Sequence, residues 1–383
     1  MPDLDGLRAV AISLVLLEHF VTLCLPVQLA RNLAQFGWVG VDLFFVISGF
    51  LIGGILLDHR GAANYYRVFY LRRFLRIIPL YALLLLPMVG VVVLGFQSRF
   101  SGHELASLGW GTLILFFCFQ QNLGNGLFFA TPGYMAPAWS LAIEEQFYLL
   151  LPPLVRHLNK RRLLKLIIAA IVAAPLTRAA LFVWPFDPAS PGAGAAVLLP
   201  CRWDALLAGV LVAYGIREAQ FRDWISSRLK QLRALWLLLG AGMAAMALLG
   251  LPAYVPFVAI GGFSWIAGFF ACTLLLTRVS PAGRVHYWLS RPALKPVATI
   301  SYGLYLIQGP VMAVRQSILV ERLGWATTGW GAVGVNLLTL GVTVLAAAVS
   351  WRCFESRLIQ LGHHHNYQDR KPAPGTSEVR SQQ

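Results

Sequence analysis

His19, Glu144 and Glu145 are the side chains of this chain best placed to move protons, and each interrupts an otherwise apolar run. A charge at the centre of a bilayer costs from about 2.5–3.5 kcal/mol, so such groups are kept where they face protein or a water-filled cavity, usually for function. An imidazole with an ordinary pKa near about 6.5 suits proton transfer close to neutrality. Arg8 stands eleven positions before His19. On an α-helix, eleven residues at about 100° each return to within roughly 20° of the start, so the two share a face, about 16 Å apart along the axis. A cation near one surface and an imidazole near mid-membrane read as two stations in one cleft.

Ser140, Glu144 and Tyr148 fall on one helical stripe at i,i+4, directly after Trp139, whereas Glu145 points about 100° away. Intramembrane carboxylates call for a cationic partner; Arg8, the cluster Arg72, Arg73 and Arg76, or Arg202 would supply it, in a site or in a purely structural ion pair. The cluster is spaced i,i+4 and i,i+3 and is equally suited to gripping phosphates and to anchoring a cytoplasmic loop. Asp42 is a carboxylate near the outer end of the second helix, open to pairing with a nearby cation. Arg202 and Asp204 either neutralise each other or join a cavity network. Tyr302 and Tyr305 read as packing or interface residues.

The elements that must position these groups are membrane helices. The 383 residues are 58% hydrophobic and 12% charged, with a mean hydropathy of +0.67; soluble domains are nearer about 25% charged. Eleven apolar segments are predicted, near 7–27, 37–57, 77–97, 106–122, 138–155, 163–184, 194–215, 233–250, 254–277, 296–318 and 329–352. The net charge of +15 sits in short loops between them, a positive-inside pattern rather than a nucleic-acid footprint. The basic loops 58–76, 156–165, 217–233 and 278–295 all fall on one side only if one segment between 106 and 155 does not cross. The expected fold is therefore an all-α polytopic bundle of about ten transmembrane helices. One re-entrant or interfacial stretch falls around 106–137, and both termini are cytoplasmic. Residues 1–358 form the membrane domain, and 359–383 a polar, disordered tail. The first apolar run lacks a basic leader and a cleavage site and is read as retained. The five cysteines are scattered singly, with no disulfide or zinc spacing.

Four motifs in order resemble the acyltransferase-3 family of integral membrane O-acyltransferases. They are Asp5-Gly6-Leu7-Arg8 with His19; the run from Gly40 to Phe50; Arg72-Arg73-Phe74-Leu75-Arg76-Ile77-Ile78-Pro79; and Trp139-Ser140-Leu141 through Glu144-Glu145-Gln146-Phe147-Tyr148. Fainter echoes at Arg202-Trp203-Asp204, Ile300-Ser301-Tyr302 and Phe354-Glu355 extend the likeness over roughly residues 3 to 358. Gln308 departs from the pattern, standing where the family often carries His, and is left out of the catalytic set.

The resemblance implies transfer of an acyl group, commonly acetyl from acetyl-CoA, to a hydroxyl of a carbohydrate such as an exopolysaccharide, lipopolysaccharide or other surface glycan. It implies the bacterial inner membrane, an acyl-CoA donor substrate with no tightly bound cofactor and no metal, a carbohydrate or glycolipid acceptor, and membrane lipid and glycan-assembly proteins as partners. The chain is expected to act as a stand-alone membrane domain. On this reading His19 is either the base or an acyl carrier, and Glu144 or Glu145 orients it or relays its proton. Arg72, Arg73 and Arg76, with Arg8, hold the coenzyme A phosphates. Asp42, Ser140, Trp139 and Arg202 complete the binding set. The competing class is a transporter or flippase of glycans or lipids, for which intramembrane charges are equally natural; no internal repeat supports it.

Overall fold

The computed structural model describes residues 1–22, 25, 27–94, 109–124, 133–185, 192–325 and 329–368. All regular structure among them is helical. We number the principal helices α1 (Pro2–Leu16), α2 (Val39–Asp58), α3 (Tyr65–Val93), α4 (Ala138–His157), α5 (Lys160–Val183), α6 (Leu199–Gly215), α7 (Leu229–Leu248), α8 (Phe263–Val279), α9 (Ser301–Val314), α10 (Gly329–Ser350) and α11 (Ser356–His363). Among the described residues, seven helices are long and apolar enough to cross a bilayer, or eight if the pair Pro292–Thr299 and Ser301–Arg322, bent by 52° at its break, is one span. The expected ten is thus not reached by length and composition. Two of the chemically loaded helices fall outside the set: α1 has 15 residues and carries Asp3, Asp5 and Arg8, and in α4 the polar run Glu144-Glu145-Gln146 dilutes the apolar content. Between 106 and 122 the main described helix, Trp110–Phe117, has eight residues, about 12 Å, against a hydrocarbon core of about 30 Å.

Helix α2 is the centre of the bundle. Its span is 78% buried, against 17% for α5 and α7. The outer helices spend their apolar side chains on lipid: Val172 and Leu176 on α5 and Leu237 and Leu238 on α7 are exposed. Two glycines bring α2 and α6 together, since a Cβ on Gly49 would meet the Leu206 carbonyl and one on Gly209 the Val46 carbonyl. Small residues at such crossings let backbones touch, which is how helices gain contact where lipid is as apolar as leucine.

Two departures bear on the site. Helix α1 does not continue regularly to Val27; from Leu17 it widens into a π-turn, Leu17–Val21, that contains His19. The wider i→i+5 turn shifts the phase of every residue after Leu16, so the eleven-residue spacing no longer fixes where His19 points. At the other end, α11 runs past the boundary expected at 358, and the chain remains packed to Gln368. Asn64 Nδ2 donates to the Asn366 carbonyl at 3.0 Å and Ala63 N to that of Gln368 at 2.8 Å, while Tyr367 stacks on His59. Residues 106–108 and 125–132 of the re-entrant or interfacial stretch expected around 106–137, together with Cys24 and the tail from 369, lie outside the described residues.

Candidate active site

Two cavities meet at the middle of the bundle. The smaller, about 100 Å³, is lined by Arg8 from α1, Ser48 from α2, Arg73 and Arg76 from α3, Ser140, Glu144 and Tyr148 from α4, and Tyr302 and Tyr305 from α9. Glu144 accepts hydrogen bonds from Ser48 Oγ at 2.8 Å and Tyr148 Oη at 2.9 Å. Arg73 lies over the Tyr148 ring, 5.9 Å from its centroid, and Arg8 has Asp5 at 3.8 Å. Three guanidinium groups and one carboxylate line this cavity, a surplus of positive charge among apolar side chains, which suits an anionic ligand. The stripe Ser140, Glu144, Tyr148 lines it as the periodicity predicts. Glu145, one residue round the helix, lines neither cavity, and its Oε1 is buried without a hydrogen-bond partner.

Arg72 does not join its neighbours. It turns to the C-terminal strap, donating to the His365 carbonyl from Nε at 3.0 Å and from Nη2 at 2.6 Å, with Tyr367 under its guanidinium. The i,i+4 spacing with Arg76 was compatible with a shared face, but α11 and the strap cover that side of α3.

The larger cavity, about 1060 Å³, is lined by Glu18, His19, Trp38, Trp139, Arg202, Phe263, Tyr305 and Gln308 among others. His19 Nδ1 is 2.8 Å from the Val15 carbonyl. Nδ1 must therefore carry the proton, leaving the Nε2 lone pair available. The carboxylate nearest to His19 is Glu18, 3.8 Å from Nδ1. Neither Glu144 nor Glu145, expected to orient the imidazole, is bonded to it. Arg8 and His19 consequently occupy two adjoining cavities rather than one cleft.

The wall between the cavities is Tyr305, which lines both together with Val41. Its hydroxyl lies 2.6 Å from Ser140 Oγ and donates to the Pro137 carbonyl at 3.0 Å. From the sequence Tyr305 reads as a packing or interface residue, and nothing in its spacing marks it as a wall between cavities.

Behind the larger cavity stand two buried ion pairs. Asp42 accepts from Arg202 Nη2 at 2.8 Å, and Asp204 from Arg178 Nη1 at 2.9 Å. Arg202 and Asp204 therefore do not neutralise each other; two residues apart on α6, they point to different helices. The Arg202 guanidinium sits 3.7 Å from the Phe263 ring centroid, and Arg178 approaches the same ring at 5.7 Å. Ser264 Oγ bridges the second pair, donating to Asp204 at 2.6 Å and accepting from Arg178 at 2.5 Å. Arg202 Nε and Nη1 have no hydrogen-bond partner, nor do Nε2 and Oε1 of the fully buried Gln308. Arg178 and Glu18 were not among the expected site residues, although both are charges in apolar helices and answer to the signal that picked out Arg8.

The sequence profile of an acyltransferase domain family matches residues 1–352. The chain is 27% identical over 380 residues to the peptidoglycan O-acetyltransferase OatA of Listeria monocytogenes, covering 94% of this chain and 56% of that protein. It is 28% identical to a putative peptidoglycan O-acetyltransferase, YrhL, of Bacillus subtilis (93% and 54%) and 26% identical to the O-acetyltransferase OatA of Staphylococcus aureus (94% and 58%). It thus spans little more than half the length of these curated relatives. No solved structure matches it significantly. With the profile covering every helix that lines the two cavities, the chain belongs to the acyltransferase-3 family of membrane acyltransferases.

Proposed function

We propose that the protein is an O-acyltransferase that takes an acyl group, acetyl, from acyl-CoA in the smaller cavity and delivers it to a hydroxyl of a cell-surface glycan in the larger one. Peptidoglycan is the favoured acceptor, because relatives carry that name. The observation that carries the reading is the division of labour between two adjoining cavities, cations in one and an imidazole with a free Nε2 in the other. With the phosphates held by Arg8, Arg73 and Arg76, the smaller cavity, about 100 Å³, takes the arm of the donor, whose thioester reaches Nε2 of His19 past Tyr305, the side chain that lines both cavities.

Because the cations and His19 line different cavities, His19 acts as the acyl carrier. Nε2 attacks the thioester carbon and the C–S bond breaks. The coenzyme leaves as thiolate and takes a proton from water, while the Nδ1 proton passes to Glu18. The acceptor oxygen then attacks the same carbon and the C–N bond breaks, returning its electron pair to Nε2. The Glu18 proton goes back to Nδ1, and the hydroxyl proton goes to solvent. Arg202 supplies unpaired N–H groups to the oxyanion in each step. The larger cavity accommodates a sugar unit, with the Gln308 amide as a contact. Membranes given labelled acetyl-CoA should incorporate label into the glycan; movement of an acceptor without label would replace this reading with transport.

Arg73→Gln and Arg76→Gln should each weaken acetyl-CoA binding roughly 10- to 100-fold, the loss of about 1.5–3 kcal/mol for a charge-assisted hydrogen bond. Arg72→Gln should leave it unchanged, since that side chain is tied to the strap. Calorimetric titration of the purified protein checks both, and equal affinity in all three variants would reduce the arginines to topology signals. Removing the wall should uncouple the reaction. Tyr305→Ala should raise acceptor-independent hydrolysis of acetyl-CoA several-fold, because water reaches the thioester, while Tyr305→Phe, which keeps the ring, should not. Equal hydrolysis in the two variants would show that Tyr305 does not separate the compartments.

A further inference from the structure

A third cavity, of about 500 Å³, lies away from both of these, formed by the short segment 281–293 alone, with His286, Tyr287, Ser290 and Arg291 in its lining. The segment joins two apolar elements, the span Val258–Val279 and the bent pair that begins at Pro292, so it sits where the chain turns at a bilayer surface. It holds the helix Arg284–Leu289, followed by Ser290 and Arg291. Between Ser280 and Thr299 there are three cations, Arg284, Arg291 and Lys295, and no Asp or Glu.

The side chains around this cavity are incompletely satisfied. His286 Nδ1 and Ser290 Oγ are buried with no hydrogen-bond partner, a state that costs free energy until a ligand or water supplies one. Arg291 is in no ion pair among the described residues; its guanidinium is stacked on Trp288, 3.7 Å from the centroid, and lies 5.5 Å from that of Tyr287. Stacking fixes the plane of the guanidinium and leaves its N–H edge free for a bidentate oxyanion. Tyr287 and Trp288 are themselves 64% and 57% exposed. Aromatic rings left open beside basic groups at the end of a span fit the headgroup level of a membrane, where one side is apolar and the other wet. The whole unit is docked on α1: Leu289 packs so closely on Gly6 that a Cβ there has no room, and Arg278, at the end of α8, pairs with Asp3.

We propose that this cavity binds the headgroup of an anionic phospholipid, with the phosphate held by Arg291 and Ser290, His286 completing the polar lining, and the acyl chains passing over Tyr287 and Trp288. A phosphate anion is the chemistry recognised; the exposed rings select the lipid over free phosphate. Anionic lipid is attracted to basic groups at the membrane surface, and here the cation is already oriented by its stacking. The site is independent of the acyl-transfer reading, because it shares no residue with either of the other cavities.

The test is native mass spectrometry of the full-length protein in detergent, titrated in separate arms with phosphatidylglycerol, phosphatidylcholine and inorganic phosphate. The expected result is one retained phosphatidylglycerol per protein, at least tenfold preferred over phosphatidylcholine, not displaced by millimolar phosphate, and lost in Arg291→Gln. Arg228→Gln, which removes another exposed arginine stacked on a tryptophan (4.6 Å from Trp224), should retain the lipid and so control for general charge. Displacement by phosphate would make this a free-anion site; equal retention of the two lipids, or an unchanged stoichiometry in Arg291→Gln, would overturn the proposal. Should Arg291→Gln fold poorly, Ser290→Ala provides the same reading through an intermediate loss of affinity.

Discussion

His19→Ala is expected to lower acyl transfer by at least about a thousandfold while leaving the protein folded and inserted. The magnitude follows from removing a nucleophile for which no neighbour can substitute. His19 is the imidazole of the larger cavity, and the other protonatable group beside it, Glu18, is a poor acyl carrier. The structural cost is small because the side chain is 34% exposed and its hydrogen bond is to the Val15 carbonyl, worth about 1 kcal/mol net. The carrier role makes a second, sharper expectation. Without acceptor, the native protein should release close to one equivalent of CoA in a burst and then stop, and His19→Ala should release none. Loss of activity with no burst in the native protein would instead make His19 a base acting directly on the acceptor hydroxyl. Full activity in His19→Ala would remove it from the mechanism altogether.

The bundle itself was legible because hydropathy is a local property: twenty apolar residues in a row announce a membrane helix whatever surrounds them. The cost of charge in lipid is equally local, and it pointed to Arg8, His19, Glu144 and Glu145, of which all but Glu145 line one of the two cavities; Arg73 and Arg76 stood out by their spacing and line the smaller one. What could not be read was pairing. Asp204 lies two residues from Arg202 but pairs with Arg178 on α5, and Arg202 reaches across to Asp42 on α2; such choices are set by how α6 is rotated between its neighbours. Arg72 and Arg73 are adjacent in the chain, yet one faces the strap and the other the cavity. The π-turn at Leu17–Val21 defeated the inference from spacing, because a helix wheel assumes a constant angle per residue. Tyr305 escaped for a different reason. A tyrosine in an apolar helix costs little, and its place as a wall depends on two cavities that exist only after packing.

The two buried pairs should separate stability from catalysis. Asp204→Asn strands the Arg178 guanidinium, which is 0% exposed, and removing one partner of a buried pair typically costs roughly 3–5 kcal/mol, because the remaining charge has neither water nor counter-ion. Asp42→Asn does the same to Arg202, 2% exposed, so both variants should unfold earlier by a similar margin in thermal denaturation of the detergent-solubilised protein. Their effects on the folded fraction should differ. Arg202 lines the larger cavity with unpartnered Nε and Nη1 groups, and Asp42 holds it there; Arg178 lines neither cavity and is fully engaged by Asp204, Ser264 and the Cys201 and Ile260 carbonyls. Per folded molecule, Asp42→Asn should therefore lose about 10²-fold or more in turnover, the scale for a lost oxyanion donor, whereas Asp204→Asn should lose little. Restoring charge balance with apolar residues, as in Asp204→Leu combined with Arg178→Met, should recover much of the stability. If Asp204→Asn instead matched Asp42→Asn in turnover, the pairs would act as one network joined through Phe263, which both guanidiniums touch, and Arg202 would not stand alone as the group that meets the reacting oxygen.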